Sequence, residues 1–129
     1  IRVGEPDVVM HTNSTYPSPT EELNLNYIKY LNDINLSGDF QKRFEVGYSG
    51  HEFGLTTTVA ASVLGAKYIE RHITLNRSLW GSDQLSSVEP QGILKLIKSI
   101  RDIESAMGEY GAREVLPSEQ EKRKSLRAK

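Results

Sequence analysis

The chain has 129 residues, enough for one domain, and its 37% hydrophobic and 26% charged content is ordinary for a globular protein. A net charge of −1 gives no general argument for nucleic acid or membrane partners, and no apolar run is long enough to span a bilayer. The absence of cysteine excludes a disulfide framework and thiolate chemistry and agrees with the cytoplasmic location that we expect.

The chain opens with an apolar run over Asp7–His11 that predicts a buried strand. A polar, proline-punctuated loop follows at positions 12–19. This loop has two interpretations. It is either a plain strand-to-helix connection or the polar rim of a pocket, with Ser14 and Tyr16 as hydrogen-bonding groups.

A helix is predicted next, capped by Ser18 or Thr20. One apolar face recurs at three- and four-residue spacing: Leu23, Tyr27, Ile28 and Leu31. Positions 32–42 are predicted to be a polar break after this helix.

A second strand is predicted over Phe44–Tyr48, followed by a compact helix over Leu55–Leu64 that ends at Gly65. If the pleat continues past the strand, three residues share one face: Gly47, Ser49 and His51. The glycines at 47, 50 and 54 predict close backbone approach or unusual dihedral angles.

The stretch Tyr68–Leu75 predicts a third strand, covered on both faces. Alternation along the strand places four of its side chains on one face: Tyr68, Glu70, His72 and Thr74. A carboxylate, an imidazole and a hydroxyl in a row either satisfy one another or line a site. We favour a site, because Gly47–His51 has the same character.

The remaining chain predicts a loop at 76–87 and a helix that runs to Met107 and ends at Gly108. Ser86 and Glu89 are spaced as a capping box, with Pro90 in the first turn. The expected buried stripe of this helix comprises Ile93, Leu94, Ile97, Ile100 and Met107. Positions 109–129 predict a charged tail or linker, or else a short helix.

Strands that alternate with helices predict an α/β fold with βαβ units and a parallel sheet. Right-handed crossovers then bring the carboxyl ends of the strands to one edge, where His11, His51 and His72 lie. Two imidazoles from neighbouring strands could hold one divalent metal, with Glu70 as ligand, supporting group or general base. The alternative is that these histidines are hydrogen-bonded packing residues, since no compact metal motif is present.

Seven blocks in unbroken order resemble the sialic acid synthase (N-acetylneuraminate synthase) family. They are His11–Pro17, Asn24–Asn26, Gly47–His51, Leu64–Lys67, Ile69–Leu75, Gly81–Asp83 and Ser87–Pro90. The resemblance implies the last three βα units of a (β/α)8 TIM barrel over residues 1–108. It also implies that 109–129 leads toward an antifreeze-like domain absent from this chain, and that the full-length protein is a homodimer. Such a barrel needs about 250 residues.

The reaction implied by the resemblance condenses phosphoenolpyruvate with an N-acylated amino sugar, such as N-acetylmannosamine or its 6-phosphate, and releases phosphate. The resemblance assigns His51 and His72 as metal ligands, with Mn²⁺ expected and Mg²⁺ or Co²⁺ as alternatives. It gives a catalytic role to Glu70 as well as to His72. It assigns substrate binding to Ser14, Tyr16, Ser49 and Asp83.

The chain departs from the family pattern at Thr12-Asn13, at Gly50 and in the segment Gly81-Ser82-Asp83-Gln84. The last departure leaves the identity of the sugar open. Two further hypotheses are a truncated, inactive fragment that acts only as an assembly partner, and another metal-dependent barrel aldolase.

Overall fold

The computed structural model describes residues 6–37 and 43–127. Three strands are present there: β1 (Val8–Thr12), β2 (Glu45–Gly50) and β3 (Tyr68–Arg71). They form one parallel sheet in the order β1-β2-β3. The helices are α1 (Asn26–Ser37), α2 (Thr56–Val63), α3 (Pro90–Met107) and α4 (Pro117–Arg127), and a 3₁₀ turn spans Thr20–Glu22. The predicted α/β alternation with parallel strands is confirmed.

One face of the sheet carries the residues that lead to the candidate site. Thr12, Ser49 and Glu70 stand side by side in register across the three strands. Next to them, the missing side chain of Gly47 leaves space for Met10 of β1 and Tyr68 of β3. A Cβ at this position would lie 2.1 Å from the Met10 sulfur, a distance that two atoms in van der Waals contact cannot adopt.

The opposite face of the sheet packs on α1 and α2 and forms the hydrophobic core. Its buried members are Ile28, Leu31, Phe44, Val46, Tyr48, Ala61 and Ala66. Because side chains alternate along a strand, Val46 and Tyr48 point into this core while Gly47 and Ser49 face the other way. The core therefore fixes which face of β2 is left for chemistry.

The first helix begins later and ends later than predicted. Neither Ser18 nor Thr20 caps it, because the chain first makes the 3₁₀ turn and α1 starts only at Asn26. The predicted polar break is helical as far as Ser37, and positions 38–42 lie outside the described residues. Asn32 donates to the Ile28 and Gly65 carbonyls, and Asn35 pairs with the backbone of Phe44. These bonds make polar residues acceptable on the inner side of the helix.

The third strand is shorter and more exposed than predicted. β3 ends at Arg71, and beyond it the chain pairs through a single bridge between Ile73 and Val88. Ile73 is 70% exposed and Leu75 85% exposed, so the expectation of a strand covered on both faces is wrong for the described chain. The first strand is likewise only half-buried. Both are edge strands here, and no fourth strand covers them within residues 6–37 and 43–127.

The third helix ends at Met107 as predicted, but it begins only at Pro90 and lacks the predicted cap. Its N-cap is Glu89, with Pro90 in the first turn, and no side chain caps it. The Glu89 carboxylate instead accepts from the Arg77 backbone, while the Ser86 hydroxyl donates to the Asp83 carbonyl, so the capping box is wrong. The helix ends before Gly108, whose φ is +60°.

The apolar stripe of α3 is largely exposed. The only buried residue that the structure describes in α3 is Leu96, which does not belong to the predicted stripe. Leu94, Ile97 and Met107 of the stripe are exposed, so the expected burial is not found within the described chain. The charged segment after it forms α4, which agrees with the short-helix alternative. That 109–129 is a linker stays a prediction. None of the helices described in the structure is long and apolar enough to cross a membrane.

The uncovered sheet edges and apolar side chains lead to a testable expectation for this chain expressed alone. Parallel sheets are ordinarily covered on both faces, and open edges with exposed apolar groups favour self-association. The 14.5 kDa chain should therefore elute as oligomers and melt without a sharp transition. Light scattering coupled to gel filtration, with a thermal melt by circular dichroism, measures both properties. A cooperatively melting monomer would contradict this expectation.

Candidate functional site

His51 and His72 lie next to each other at the carboxyl end of the sheet. Each directly follows the last residues of its strand, β2 or β3, and the two ring centroids are 5.1 Å apart in an edge-on arrangement. His51 is buried, whereas His72 is about one third exposed. The sequence prediction that these two imidazoles meet at one edge is confirmed.

His51 is held in a defined orientation from both sides of its ring. Nδ1 lies 2.7 Å from the Asn13 carbonyl oxygen. Because a carbonyl only accepts, Nδ1 carries the proton, and neutral Nε2 keeps its lone pair. The Tyr16 hydroxyl, 3.1 Å away, donates to Nε2, and the Tyr16 ring stacks on the imidazole with centroids 4.2 Å apart. The polar loop thus contacts the strand-end histidine through Tyr16.

Ser49 and Glu70 connect β2 and β3 beneath the histidines. The Ser49 hydroxyl donates to the Glu70 carboxylate, and its oxygen is 3.4 Å from Nε2 of His51. Half of the Glu70 side chain remains exposed. A carboxylate that accepts from a hydroxyl and still faces the open side of the sheet can bind a polar ligand or a proton there.

His72 lies between two carboxylates. Its Nδ1 is 3.5 Å from an Asp83 oxygen, and its Nε2 is 3.9 Å from a Glu70 oxygen. Asp83 belongs to the loop between β3 and α3, so the site collects residues from four separate segments, namely this loop, the loop after β1 and the ends of β2 and β3. The loop residue and the strand residues were both predicted, and the fold brings them together.

Two of the polar residues singled out in the sequence lie apart from this group. Ser14 is exposed on the loop that carries Tyr16 and makes no hydrogen bond to the site within the described residues. His11 lies on the opposite face of β1, where Nε2 contacts the Leu23 carbonyl at 2.7 Å and the ring packs near Tyr27 and Tyr48. His11 therefore has the packing role that was the alternative for all three histidines.

The donor set fits a divalent transition metal in part. Metal-binding histidines ordinarily donate their other ring N–H to a carbonyl or carboxylate, as His51 does to Asn13. Among the residues described, no group of three or more His, Cys, Asp and Glu has metal-ligand geometry. Two imidazoles from this chain would thus leave coordination positions for water or substrate, as a Lewis-acid site requires.

A buried ion pair directly behind the site was missed in the sequence. Glu52 is fully buried, and the side chain of Arg71 is 5% exposed, with Nη1 3.2 Å from the Glu52 carboxylate. The same carboxylate accepts from Tyr48, Thr57 and Thr58. The sequence did hold a signal, because strand alternation places the neighbours of two site histidines on the helix-covered face, where a charge needs a partner.

The pair is charged at neutral pH. Burial alone raises the pKa of Glu52, but hydrogen bonds from Thr57 and Thr58 and the Arg71 guanidinium outweigh it, so this pKa lies below its usual value. Burial, followed by the neighbouring Glu52 charge, raises the pKa of Tyr48 far above its usual value. Tyr48 therefore remains a hydrogen-bond donor to an ionised Glu52.

The fold of this chain matches solved structures of the sialic acid synthase class. A sialic acid synthetase from Leptospira borgpetersenii serovar Hardjo-bovis, solved with citrate, superimposes with a TM-score of 0.72 at 34% identity over 95% of this chain and 41% of that one. A spore coat polysaccharide biosynthesis protein from Bacillus subtilis gives 0.70 at 28% identity, over 85% of this chain and 29% of that one.

The chain belongs to the NeuB family, whose model matches residues 3–112. It is 40% identical to human N-acetylneuraminate-9-phosphate synthase over 85% of its length. It is 38% identical to the N,N'-diacetyllegionaminic acid synthase of Campylobacter jejuni over 94% of its length. The chain spans 29% of the human relative and 35% of the bacterial one.

Proposed function

We propose that the full-length protein containing this chain is a sialic-acid-type synthase. It condenses phosphoenolpyruvate with an N-acylated amino sugar, N-acetylmannosamine or its 6-phosphate, and forms a nonulosonic acid with release of phosphate. The observation that carries this proposal is the adjacent His51–His72 pair at the strand ends of a NeuB-family chain. The proposal also agrees with two relatives, an N-acetylneuraminate-9-phosphate synthase and an N,N'-diacetyllegionaminic acid synthase.

In this proposal His51 and His72 hold a divalent cation, Mn²⁺ first and Mg²⁺ or Co²⁺ as alternatives. The cation supplies Lewis acidity toward the aldehyde oxygen of the sugar. The bond from His51 Nδ1 to the Asn13 carbonyl supports this role, since it leaves the lone pair that a metal needs on Nε2. The Tyr16 hydroxyl now donates to Nε2 and would have to turn toward a substrate oxygen.

The other site residues take roles that match their chemistry. Ser49 supplies a hydroxyl to phosphoenolpyruvate, and Ser14 and Tyr16 extend the polar rim around the substrates. Asp83 accepts hydrogen bonds from sugar hydroxyls. Glu70 is placed to take or return a proton, because it bonds Ser49 and lies near His72 while half exposed.

We further propose that the three βα units belong to a (β/α)8 barrel in a homodimeric, cytoplasmic enzyme. Two features support the barrel. The chain covers 41% of a sialic acid synthetase structure, and both edge strands of its parallel sheet lack neighbours within the described residues. Strand neighbours from elsewhere in the barrel would cover those edges. This chain alone would then be inactive. The hypothesis of an inactive assembly partner therefore still applies to the isolated chain.

The direct test measures phosphate release from phosphoenolpyruvate with Mn²⁺ and N-acetylmannosamine, on the full-length protein and on this chain. Turnover by the full-length protein, lost on chelation and restored by Mn²⁺, is the expected result. Cleavage of a nonulosonic acid without phosphate chemistry would favour an aldolase instead. No phosphate release with several amino sugars and their 6-phosphates would overturn the synthase proposal.

Asp83→Ala should weaken use of the sugar while sparing phosphoenolpyruvate. Its carboxylate belongs to the loop between β3 and α3 rather than to a strand, and it contacts His72 on the open side of the site. Loss of charged hydrogen bonds, each worth about 1.5–3 kcal/mol, should raise the sugar KM or lower kcat about 10- to 100-fold. Steady-state kinetics with each substrate varied in turn checks this. Asp102→Ala, in an exposed pair with Lys98, is the control, and equal losses for both substrates would contradict a sugar role.

A further inference from the structure

The Glu52–Arg71 ion pair occupies a particular place relative to the two site histidines. Glu52 directly follows His51, and Arg71 directly precedes His72. The ion pair therefore joins, on the helix-covered face, the two backbone segments whose next residues carry the imidazoles. We name this pair the clamp.

The backbone ladder does not make this connection. The last paired residues of β2 and β3 are Gly50 and Arg71. Beyond these residues the two segments of the chain pair with different partners. The His51 carbonyl accepts from the Ser18 N–H, and the His72 carbonyl accepts from the Val88 N–H. The ladder therefore ends at the residues directly before the two histidines, and the placement of the imidazoles beyond it depends on other contacts.

The Arg71 guanidinium bridges this gap with five hydrogen bonds. Nη2 donates to the Glu52 carbonyl at 2.7 Å and to the Ser86 carbonyl at 3.1 Å. Nη1 donates to the Glu52 carboxylate at 3.2 Å, the Gly54 carbonyl at 3.0 Å and the Thr58 hydroxyl at 2.7 Å. One planar group consequently ties the chain after His51 to the chain before His72 and to the loop at Ser86.

We propose that Arg71 is a positioning residue, which sets the spacing of His51 and His72 and holds the Asp83 loop against them. The loop connection runs through Ser86, because its carbonyl accepts from Arg71 while its hydroxyl donates to the Asp83 carbonyl. The inference rests on the proposed function in one respect, that the two histidines bind a divalent cation.

A guanidinium is needed for this role and an ammonium is not equivalent. Arginine presents N–H donors in a rigid planar fork, whereas lysine offers a compact charge on a flexible stem. Lysine at position 71 would keep a charge opposite Glu52 but could not reach both the Glu52 and Ser86 carbonyls in the same geometry. Arg71→Lys therefore separates the effect of the positive charge from the effect of the planar hydrogen-bonding group.

The test compares Arg71→Lys with wild type in the full-length protein, by titrating Mn²⁺ and following the electron paramagnetic resonance signal of the free ion. Loss of groups that orient metal ligands commonly weakens metal binding by about 10- to 100-fold. We expect the dissociation constant for Mn²⁺ to rise at least about tenfold, with an unchanged circular dichroism spectrum. Ile28→Val, a core substitution away from the clamp, is the control for destabilisation and should bind Mn²⁺ as wild type does.

Each outcome bears on the proposal. Equal Mn²⁺ affinity in wild type and Arg71→Lys would overturn the positioning role and leave the metal site standing, and so would an equal loss in Ile28→Val. No Mn²⁺ binding by wild type would overturn both the metal site and the clamp. If Arg71→Lys does not fold, Thr58→Val decides, because it removes a hydroxyl that accepts from Arg71 and leaves both charges of the clamp in place. A several-fold loss of affinity supports the proposal, and an unchanged affinity overturns it.

Discussion

Replacing His72 with alanine in the full-length protein should reduce phosphate release to less than about one hundredth of the wild-type rate. A two-histidine site has no ligand to spare, and loss of a mere supporting group already costs about 10- to 100-fold. The structure gives no substitute imidazole on this face of the sheet among the residues described, since His11 lies on the other face. Turnover with saturating Mn²⁺ and both substrates is the measurement.

The matched control for this substitution is His11→Gln. His11 belongs to β1 of the same sheet, but it binds the Leu23 carbonyl and packs near Tyr27, so its replacement removes an imidazole without touching the site. Glutamine keeps an N–H donor for that carbonyl. His11→Gln should retain most of the activity and of the Mn²⁺ affinity. Normal turnover by His72→Ala would refute the metal assignment.

Removal of the Glu52 carboxylate should have the largest effect on stability. Glu52→Ala leaves the Arg71 charge buried with no counter-charge. It also removes the acceptor of three hydroxyl groups, those of Tyr48, Thr57 and Thr58. Breaking a buried pair from one side typically costs about 3–5 kcal/mol. Urea unfolding of the full-length protein should therefore shift to clearly lower denaturant, or the variant should fail to accumulate in folded form.

An exposed ion pair of the same sheet provides the comparison. Lys67 and Glu45 lie 2.7 Å apart, shorter than the buried pair, yet their side chains are 67% and 46% exposed. Solvent screening leaves such pairs worth about 0–1 kcal/mol. Glu45→Ala should thus unfold almost as wild type does. Comparable losses for Glu45→Ala and Glu52→Ala would show that burial does not govern the strength of these pairs.

The sequence carried most of the information about the site. Period-two alternation places Ser49 and Glu70 on one face, and parallel strands bring their ends to one edge, so the meeting of His51 with His72 followed from local rules. Asp83 was reached only through the resemblance to the synthases. Its approach to His72 depends on the path of a long loop, which no periodicity specifies.

The wrong predictions have two physical sources. The apolar patterns around three residues predict burial, namely Leu94, Ile97 and Ile73. These residues are exposed because no packing partner for them lies among the described residues. In contrast, the extension of α1 through Asn32 and Asn35 depends on hydrogen bonds to the backbone at Gly65 and Phe44, residues far along the chain. A polar side chain cannot reveal such a partner from sequence.

The orientation of His51 depends on a main-chain oxygen, because its Nδ1 proton is received by the Asn13 carbonyl. Every amino acid at position 13 supplies that same oxygen. A saturation scan of this position should consequently preserve the acceptor for His51, with losses confined to substitutions that bend the backbone and to the side-chain bonds of Asn13 with the Thr15 N–H and the Glu22 carbonyl. A position can in this way be essential to a site through its backbone while its side chain varies. Tolerance to substitution at Asn13 would therefore not show that this position is unimportant for His51.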